Sequence, residues 1–308
     1  MTLGCVSAGL WPGPRLISVV RNSLLKTVEI KSFQEFAEWS RVNEQRFARN
    51  AEFEKSMLYN EDAFDVPGFC AVCNQSTLFH VDFQYAFRAA DGTAMPNWRE
   101  RMECQHCRLN SRMRASLDFL ATNMAASPNA AIYVTEQITP MYAALTARYS
   151  DVSGREYLGS DLPSGYINPD GVRHEDVTRL SFATASFDHV LSFDVLEHVP
   201  DYMAALRETY RILKPGGSLL MTVPFSLGSE SNIVRAVVEN GEICHLMEPE
   251  YHGDPVTGAV LCYYHFGWEF LEQMKSVGFS AASAHFFWSA ERGYLGGAPM
   301  VLHARRSS

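Results

Sequence analysis

The spacing of hydrophobic positions changes character several times along the chain. From Ser32 onward, Phe36, Trp39, Val42 and Phe47 recur at roughly helical intervals, followed by Phe53 and Met57. Ser32-Phe33-Gln34-Glu35 opens the run as a capping box, with Glu three residues after Ser. The spacing predicts a long helix, with room for a break, ending before Pro67-Gly68. A strand-like run covers residues 77–87. Asn110 can cap a helix whose apolar face is Met113, Leu117, Leu120 and Met124. Ala126-Ser127-Pro128-Asn129 reads as a linker.

Beyond the linker, short apolar runs alternate with helical patterns. Strands are expected at residues 130–136, 152–158, 189–195 and 218–225, and helices at 139–149 and 202–213. A helix over 266–277 stops at Gly278, and strands at 281–287 and 299–305 complete the tail. Strands separated by helices imply parallel pairing, because a parallel crossover needs about a dozen residues. The expectation is an open α/β sheet preceded by a metal-clipped helical module, and the first thirty residues read as an irregular arm.

Composition narrows the function classes. The 308 residues carry 26 Lys+Arg against 35 Asp+Glu, a net charge of −9, which disfavours phosphate backbones as partners. No apolar stretch approaches the ~18–20 residues that cross a bilayer, so no membrane partner is expected. The first twenty residues hold Pro12 and Pro14 and lack a basic start, so no signal peptide is expected. Seven cysteines, an odd number, argue against a disulfide framework and for a reducing, cytoplasmic setting.

Four of those cysteines form two CxxC pairs, Cys70-Ala71-Val72-Cys73 and Cys104-Gln105-His106-Cys107, thirty residues apart. Each pair can present two thiolates to one ion, and together they make a closed four-cysteine site of the structural zinc type. His106 is not needed as a ligand. Arg99, Arg101, Arg108, Arg112 and Arg114 surround the second pair. They read either as salt-bridging partners of an acidic domain or as a nucleic-acid contact surface.

The later half carries a resemblance. Asp176-Val177-Thr178-Arg179-Leu180-Ser181-Phe182, then the run from Ser186-Phe187-Asp188 through Asp194-Val195-Leu196-Glu197-His198-Val199, then Ile212-Leu213-Lys214-Pro215-Gly216-Gly217, resemble in order and spacing a class I S-adenosylmethionine-dependent methyltransferase. The resemblance covers about residues 130–305. It implies a Rossmann-like, mostly parallel seven-stranded sheet with helices on both faces, preceded by a helical and zinc-ribbon module. The implied divisions are 1–67 (arm and helical segment), 68–125 (zinc-ribbon module and helix) and 126–308 (cofactor-binding domain).

The same resemblance implies roles. Asp176 would accept from the adenine amino group, with the Val177 backbone reaching the ring, and Glu156 would bind the ribose hydroxyls. Ser192 and Phe193 would end a strand beside the cofactor methionine, at the strand ends where open α/β sheets bind ligands. The family has a Gly-rich loop after its first strand, whereas this chain reads Thr135-Glu136-Gln137-Ile138-Thr139. Glu136 stands 20 residues before Glu156, about the family spacing. Glu136 or Gln137 would then bond the cofactor amino group, with Thr139 replacing a backbone contact or capping the helix. The altered loop also leaves open a domain that binds no cofactor.

A hydroxyl acceptor needs a base, and His198, His252 and His265 are the candidates. Asp194, Glu197 and His198 also resemble an acidic cluster that binds divalent metal in some O-methyltransferases, although the stretch is common in members without metal. Residues 226–265 add His245, Asp254, Tyr263 and Tyr264, and Asp254 is expected to orient a neighbouring histidine. Trp268 is expected in the core, and Trp11 and Trp288 in core or lid. The leading expectation is methyl transfer to a small polar acceptor, such as a sugar or natural-product hydroxyl, by an enzyme that can homodimerise. The alternatives are an RNA methyltransferase, an enzyme using the cofactor for other chemistry, and a non-catalytic interaction protein.

Overall fold

The computed structural model describes residues 24–59, 61–254 and 256–308. Most of the expected N-terminal arm, with Trp11, lies outside the described residues.

The first element among the described residues is a short strand, β1 (Val28–Ile30), followed by helices α1 (Phe33–Val42) and α2 (Glu44–Ser56). Ser32 Oγ accepts from the Glu35 N–H as the capping box requires, while the Glu35 carboxylate reaches the Lys31 N–H. The helical run breaks at Asn43, whose side chain donates to the Trp39 carbonyl. It also ends earlier than expected, because residues through Pro67-Gly68 form a strand. That strand, β2 (Ala63–Cys70), is the edge of a three-stranded antiparallel sheet with β3 (Gln75–Asp82) and β4 (Met102–Cys104). An edge strand pairs on one side only, so it tolerates the missing proline N–H. β3 stops short of the expected residue 87, where Asp82 Oδ1 accepts from the Gln84 N–H and Tyr85 turns to φ 60°.

Helix α3 (Ser111–Thr122) is capped by Asn110 Oδ1, which accepts from the Met113 N–H at 2.9 Å. The central elements then follow as β5 (Ala131–Val134), α4 (Pro140–Thr146), β6 (Asp151–Gly154), β7 (Phe187–Phe193), α5 (Tyr202–Ile212) and β8 (Leu213–Thr222). Two antiparallel hairpins come next, β9 (Ala236–Glu239) with β10 (Glu242–His245), and β11 (Tyr251–Asp254) with β12 (Gly258–Leu261). Helix α6 (Glu269–Val277) ends at Gly278, whose φ of 128° suits glycine. Strands β13 (Ala281–Phe286) and β14 (Met300–Arg305) close the chain.

The central sheet has seven strands in the order β1-β13-β14-β8-β7-β5-β6. It is mixed rather than mostly parallel: β8, β7, β5 and β6 run parallel, and the β1-β13, β13-β14 and β14-β8 pairs are antiparallel. β14 runs against both of its neighbours, and two local features add to the departure. The N-terminal segment adds an edge strand, and the long connection from β6 to β7 contributes only an isolated parallel bridge, Glu156 to His174. Gly159, Gly165 and Gly171 all take positive φ in that connection, which interrupts regular structure.

Alternation along the strands splits the core between the two faces. Ala131 and Tyr133 of β5, with Leu219 and Met221 of β8, pack against α5, α6 and the apolar side of α1. Ile132, Val134 and Leu220 pack against α3 and α4 on the other face. Trp268 is buried in the first core as expected, whereas Trp288 is half-buried and donates to Glu54. Because α3 is built into the second core, the cysteine-bearing sheet is held firmly against the sheet edge that carries the strand ends. Among the described residues, no helix is long and apolar enough to cross a membrane.

Candidate functional site

The loop between β5 and α4 closes without glycine. Thr139 caps α4 by accepting from the Tyr142 N–H, Pro140 fills the first helical turn, and the Thr139 hydroxyl donates to the Glu136 carboxylate. Glu156 Oε1, just past β6, accepts from the Gln137 and Ile138 N–H groups at 2.6 and 3.0 Å. The side chain expected to hold ribose hydroxyls thus also organises the loop backbone. Close approach is granted by Gly154 on β6, where an added Cβ would meet the Tyr142 ring at 2.5 Å and the Glu136 carbonyl oxygen at 2.7 Å. Gln137 turns outward: its Oε1 accepts from the Arg173 N–H and its Nε2 donates to the Gly171 carbonyl.

Burial raises Glu136 to about 7 against the opposing pull of Thr139 and Arg112, and burial likewise raises Glu156 against the two loop amides. Asp176 follows the bridge strand and accepts from the Thr178 N–H and hydroxyl through Oδ1. Val177 packs on the first core, and Ser192 and Phe193 are buried at the end of β7. Glu136, Glu156 and Asp176 therefore gather at the carboxyl ends of β5 and β6, where an open α/β sheet receives a ligand.

Asp194 caps the other side of this edge in a left-handed conformation, φ 52°. Arg99 Nη2 donates to both of its oxygens at 2.8 and 2.9 Å, and Arg112 Nε stands 3.1 Å from Oδ2. Burial alone would raise Asp194, but Arg112 and Arg99 hold it well below the usual carboxylate range. The rest of the arginine cluster is also occupied within the chain. Arg101 pairs with Asp82, Arg108 pairs with Glu103, and buried Arg114 lies on the Phe79 ring and donates to the Met102, Arg292 and Gly293 carbonyls.

The hairpin β11-β12 brings the histidines together. His198 Nε2 and His252 Nδ1 stand 3.6 and 3.7 Å from Glu197 Oε1, and the two imidazoles meet edge to face. His252 Nε2 and His265 Nε2 both lie 3.0 Å from Glu250 Oε1, and Arg235 pairs with the other oxygen of Glu250. The buried Cys262 thiol contacts His252 and His265 and donates to the Tyr264 carbonyl. Contact with Cys262 and Glu197 pushes His252 up to about 11, whereas burial lowers His198 and raises Glu197 to about 7. His245 is exposed on the other hairpin, apart from this group. Asp254 does not orient a histidine: its carboxylate takes the Thr257 N–H and hydroxyl and closes its own turn. Sequence reasoning did not single out Glu250 or Cys262; the only local signal was their place beside the His/Tyr-rich run.

The four CxxC sulfurs lie within 4.8 Å of one another, with Cys70–Cys107 at 3.9 Å and Cys73–Cys104 at 3.8 Å. Zinc–sulfur bonds of about 2.3 Å in tetrahedral geometry place sulfurs about 3.8 Å apart, so the donor set fits such an ion. The Cys73 N–H donates to the Cys70 sulfur, and the Thr77 hydroxyl lies 3.6 Å from the Cys104 sulfur. Cys70 and Cys104 are fully buried among Phe79, Trp98 and Met102.

Comparison with known proteins adds to this geometry. Residues 130–221 match a family model described as a methyltransferase domain. Demethylmenaquinone methyltransferase of Listeria welshimeri is 52% identical over 46 residues, which is 15% of this chain and 20% of that protein. The same enzyme of Staphylococcus haemolyticus is 35% identical over 77 residues, 23% of this chain and 32% of that protein. The chain thus spans about a fifth to a third of the length of these curated relatives. The crystal structure of Burkholderia thailandensis 1,6-didemethyltoxoflavin-N1-methyltransferase, with 1,6-didemethyltoxoflavin and S-adenosylhomocysteine bound, superposes with a TM-score of 0.39 at 16% identity. That superposition covers 64% of this chain and 78% of the other.

Proposed function

We propose that the protein is an S-adenosylmethionine-dependent methyltransferase that acts on a small polar acceptor, most simply a sugar or natural-product hydroxyl. The observation that carries this reading is the set of three carboxylates, Glu136, Glu156 and Asp176, at adjoining strand ends within the segment that matches the methyltransferase domain. Glu156 and Asp176 bind ribose and adenine, Glu136 faces the cationic methionine end, and Ser192 and Phe193 line the floor. Thr139, Gln137 and Val177 shape the loop and ring contacts.

The acceptor oxygen attacks the cofactor methyl in line. The O–CH3 bond forms as the S–CH3 bond breaks, sulfur keeps the electron pair, and the hydroxyl proton passes to a base. His198, His252 and His265 are gathered around Glu197 and Glu250, and one of these rings, in its neutral form, takes that proton. The polar surroundings of these rings favour a polar acceptor. Internal pairing of the basic residues around the second CxxC pair speaks against nucleic acid as the substrate.

In this reading Cys70, Cys73, Cys104 and Cys107 hold a zinc ion that clips β2, β3 and β4 together and, being fully coordinated, takes no part in the chemistry. None of the six described cysteines is in a disulfide, which fits a reducing, cytoplasmic setting.

Calorimetric binding of S-adenosylmethionine and S-adenosylhomocysteine to the wild type, Glu156→Ala and Asp176→Ala tests the cofactor assignment. Micromolar binding lost in both variants is expected. No binding by the wild type overturns the reading and leaves a transferase fold kept as an interaction module.

A further inference from the structure

Glu197 is the most deeply buried carboxylate at this edge of the sheet, 0% exposed, and neither of its oxygens has a hydrogen-bond partner among the described residues. An unpaired carboxylate out of water costs several kcal/mol unless something compensates it. What faces it is unusual in its polarity.

His198 Nδ1 lies 2.8 Å from the Leu261 carbonyl, which only accepts, so that nitrogen carries the hydrogen. The nitrogen left with a lone pair, Nε2, is the one turned toward Glu197. His252 is held between two carboxylates: its Nε2 lies 3.0 Å from Glu250 Oε1, an oxygen that His265 Nε2 shares, while Arg235 meets the other oxygen of Glu250. The His252 Nδ1 is turned toward the same oxygen of Glu197. Two imidazole nitrogens and one carboxylate oxygen converge, with all three ligand atoms inside 4.8 Å of one another. No hydrogen bond joins them across the buried gap. A protonated His252 does not resolve this, because its Nδ1 stays beyond hydrogen-bonding distance of Glu197.

We propose that Glu197, His198 and His252 form a second metal centre, distinct from the four cysteines, that takes a divalent first-row transition ion. Two histidines and one carboxylate with open positions are a donor set such ions favour. Bonds of about 2.0–2.2 Å in tetrahedral geometry place the donors about 3.4 Å apart, close to the 3.6 and 3.7 Å observed. The second contacts have the form that steadies metal-bound histidines, a carbonyl behind one ring and a carboxylate behind the other.

Asp194, which the sequence grouped with Glu197 and His198, is not part of the set, because Arg99 and Arg112 occupy it. The hairpin supplies the third ligand instead. Glu197 and His198 follow closely on the carboxyl end of β7, the strand beside β5, so the centre lies along the same edge of the sheet as the proposed cofactor pocket. In an enzyme of the proposed kind, an ion there would lower the pKa of an acceptor hydroxyl. His198 and His252 would then be ligands, leaving His265 as the base.

The test counts metal in the full chain and does not depend on methyl transfer. After loading with zinc or with cobalt(II) and dialysis, the wild type is expected to hold two ions per chain. Glu197→Gln and, separately, His252→Ala are each expected to hold one. The thiolate-to-cobalt charge-transfer bands of the cysteine site should persist at full strength in both. Cys73→Ser is expected to lose those bands and keep the ion at the second centre. A wild type whose cobalt is accounted for by the thiolate site alone overturns the proposal, as do two ions retained in both variants. Circular dichroism checks that the variants fold, and if they do not, the wild-type count and cobalt spectrum decide.

Discussion

Arg112, on the helix that follows the second CxxC pair, places its Nε 3.1 Å from Oδ2 of Asp194, the residue that directly follows β7 in the middle of the sheet. The same guanidinium Nε is 3.0 Å from Glu100 Oε1, and Arg99 completes the group. The cysteine-bearing module is therefore tied to the cofactor edge by charge as well as by the packing of α3.

Removing one member of a buried ion group leaves the others uncompensated. Arg112→Ala is expected to destabilise the protein by about 3 kcal/mol, read from urea unfolding. A loss below about 1 kcal/mol would mean that water or Arg99 alone satisfies Asp194.

Gly154→Ala is expected to weaken cofactor binding by about tenfold or more, because the new methyl strikes the Tyr142 ring and the Glu136 carbonyl and displaces the loop that Glu156 holds. Gly228→Ala is the control, since nothing lies within 4 Å of its added Cβ. Equal calorimetric affinities for the two variants would contradict the assignment of close approach to Gly154.

Glu136 titrates at about 7 in the folded protein against 4.5 as its ordinary value. Its contribution to stability is therefore complete below about 4.5 and is lost as pH rises through about 7. A cationic cofactor prefers the ionised form, so binding should tighten between pH 6 and 8 with release of a proton. The slope is at most about tenfold per pH unit. Calorimetry in buffers of different ionisation heat reads the proton directly, and Glu136→Gln should abolish both the slope and the release. Glu156 shares the site and is also raised by burial, and a slope that survives Glu136→Gln would move the assignment to it.

Stripping the proposed zinc ion with a strong chelator is expected to lower Tm by about 5 °C or more, because the four sulfurs lie in the core of the small sheet. Differential scanning calorimetry with metal analysis checks this. An unchanged Tm after complete removal would mean that the Phe79, Trp98 and Met102 core suffices without the ion.

Much of this molecule is written locally. The strands at 131–134 and 187–193 and the helix at 202–212 follow from runs of apolar residues and their period. The Asn110 and Ser32 caps follow from the chemistry of residues three positions apart, and each CxxC pair turns its own two sulfurs toward one point. These features depend on neighbours in sequence, so the sequence by itself determined them. The seventh, edge strand of the sheet depended on which strand the segment at 28–30 found as its neighbour, and that is decided by pairing with Phe286 and Ala284 across the whole chain. The site was decided in the same way. Arg112 meets Asp194 across 82 positions, and His252 meets Glu197 across 55, by way of a hairpin whose placement no local pattern encodes. Such contacts arise only when folding excludes water and leaves each buried charge to find whatever partner the completed core brings within reach.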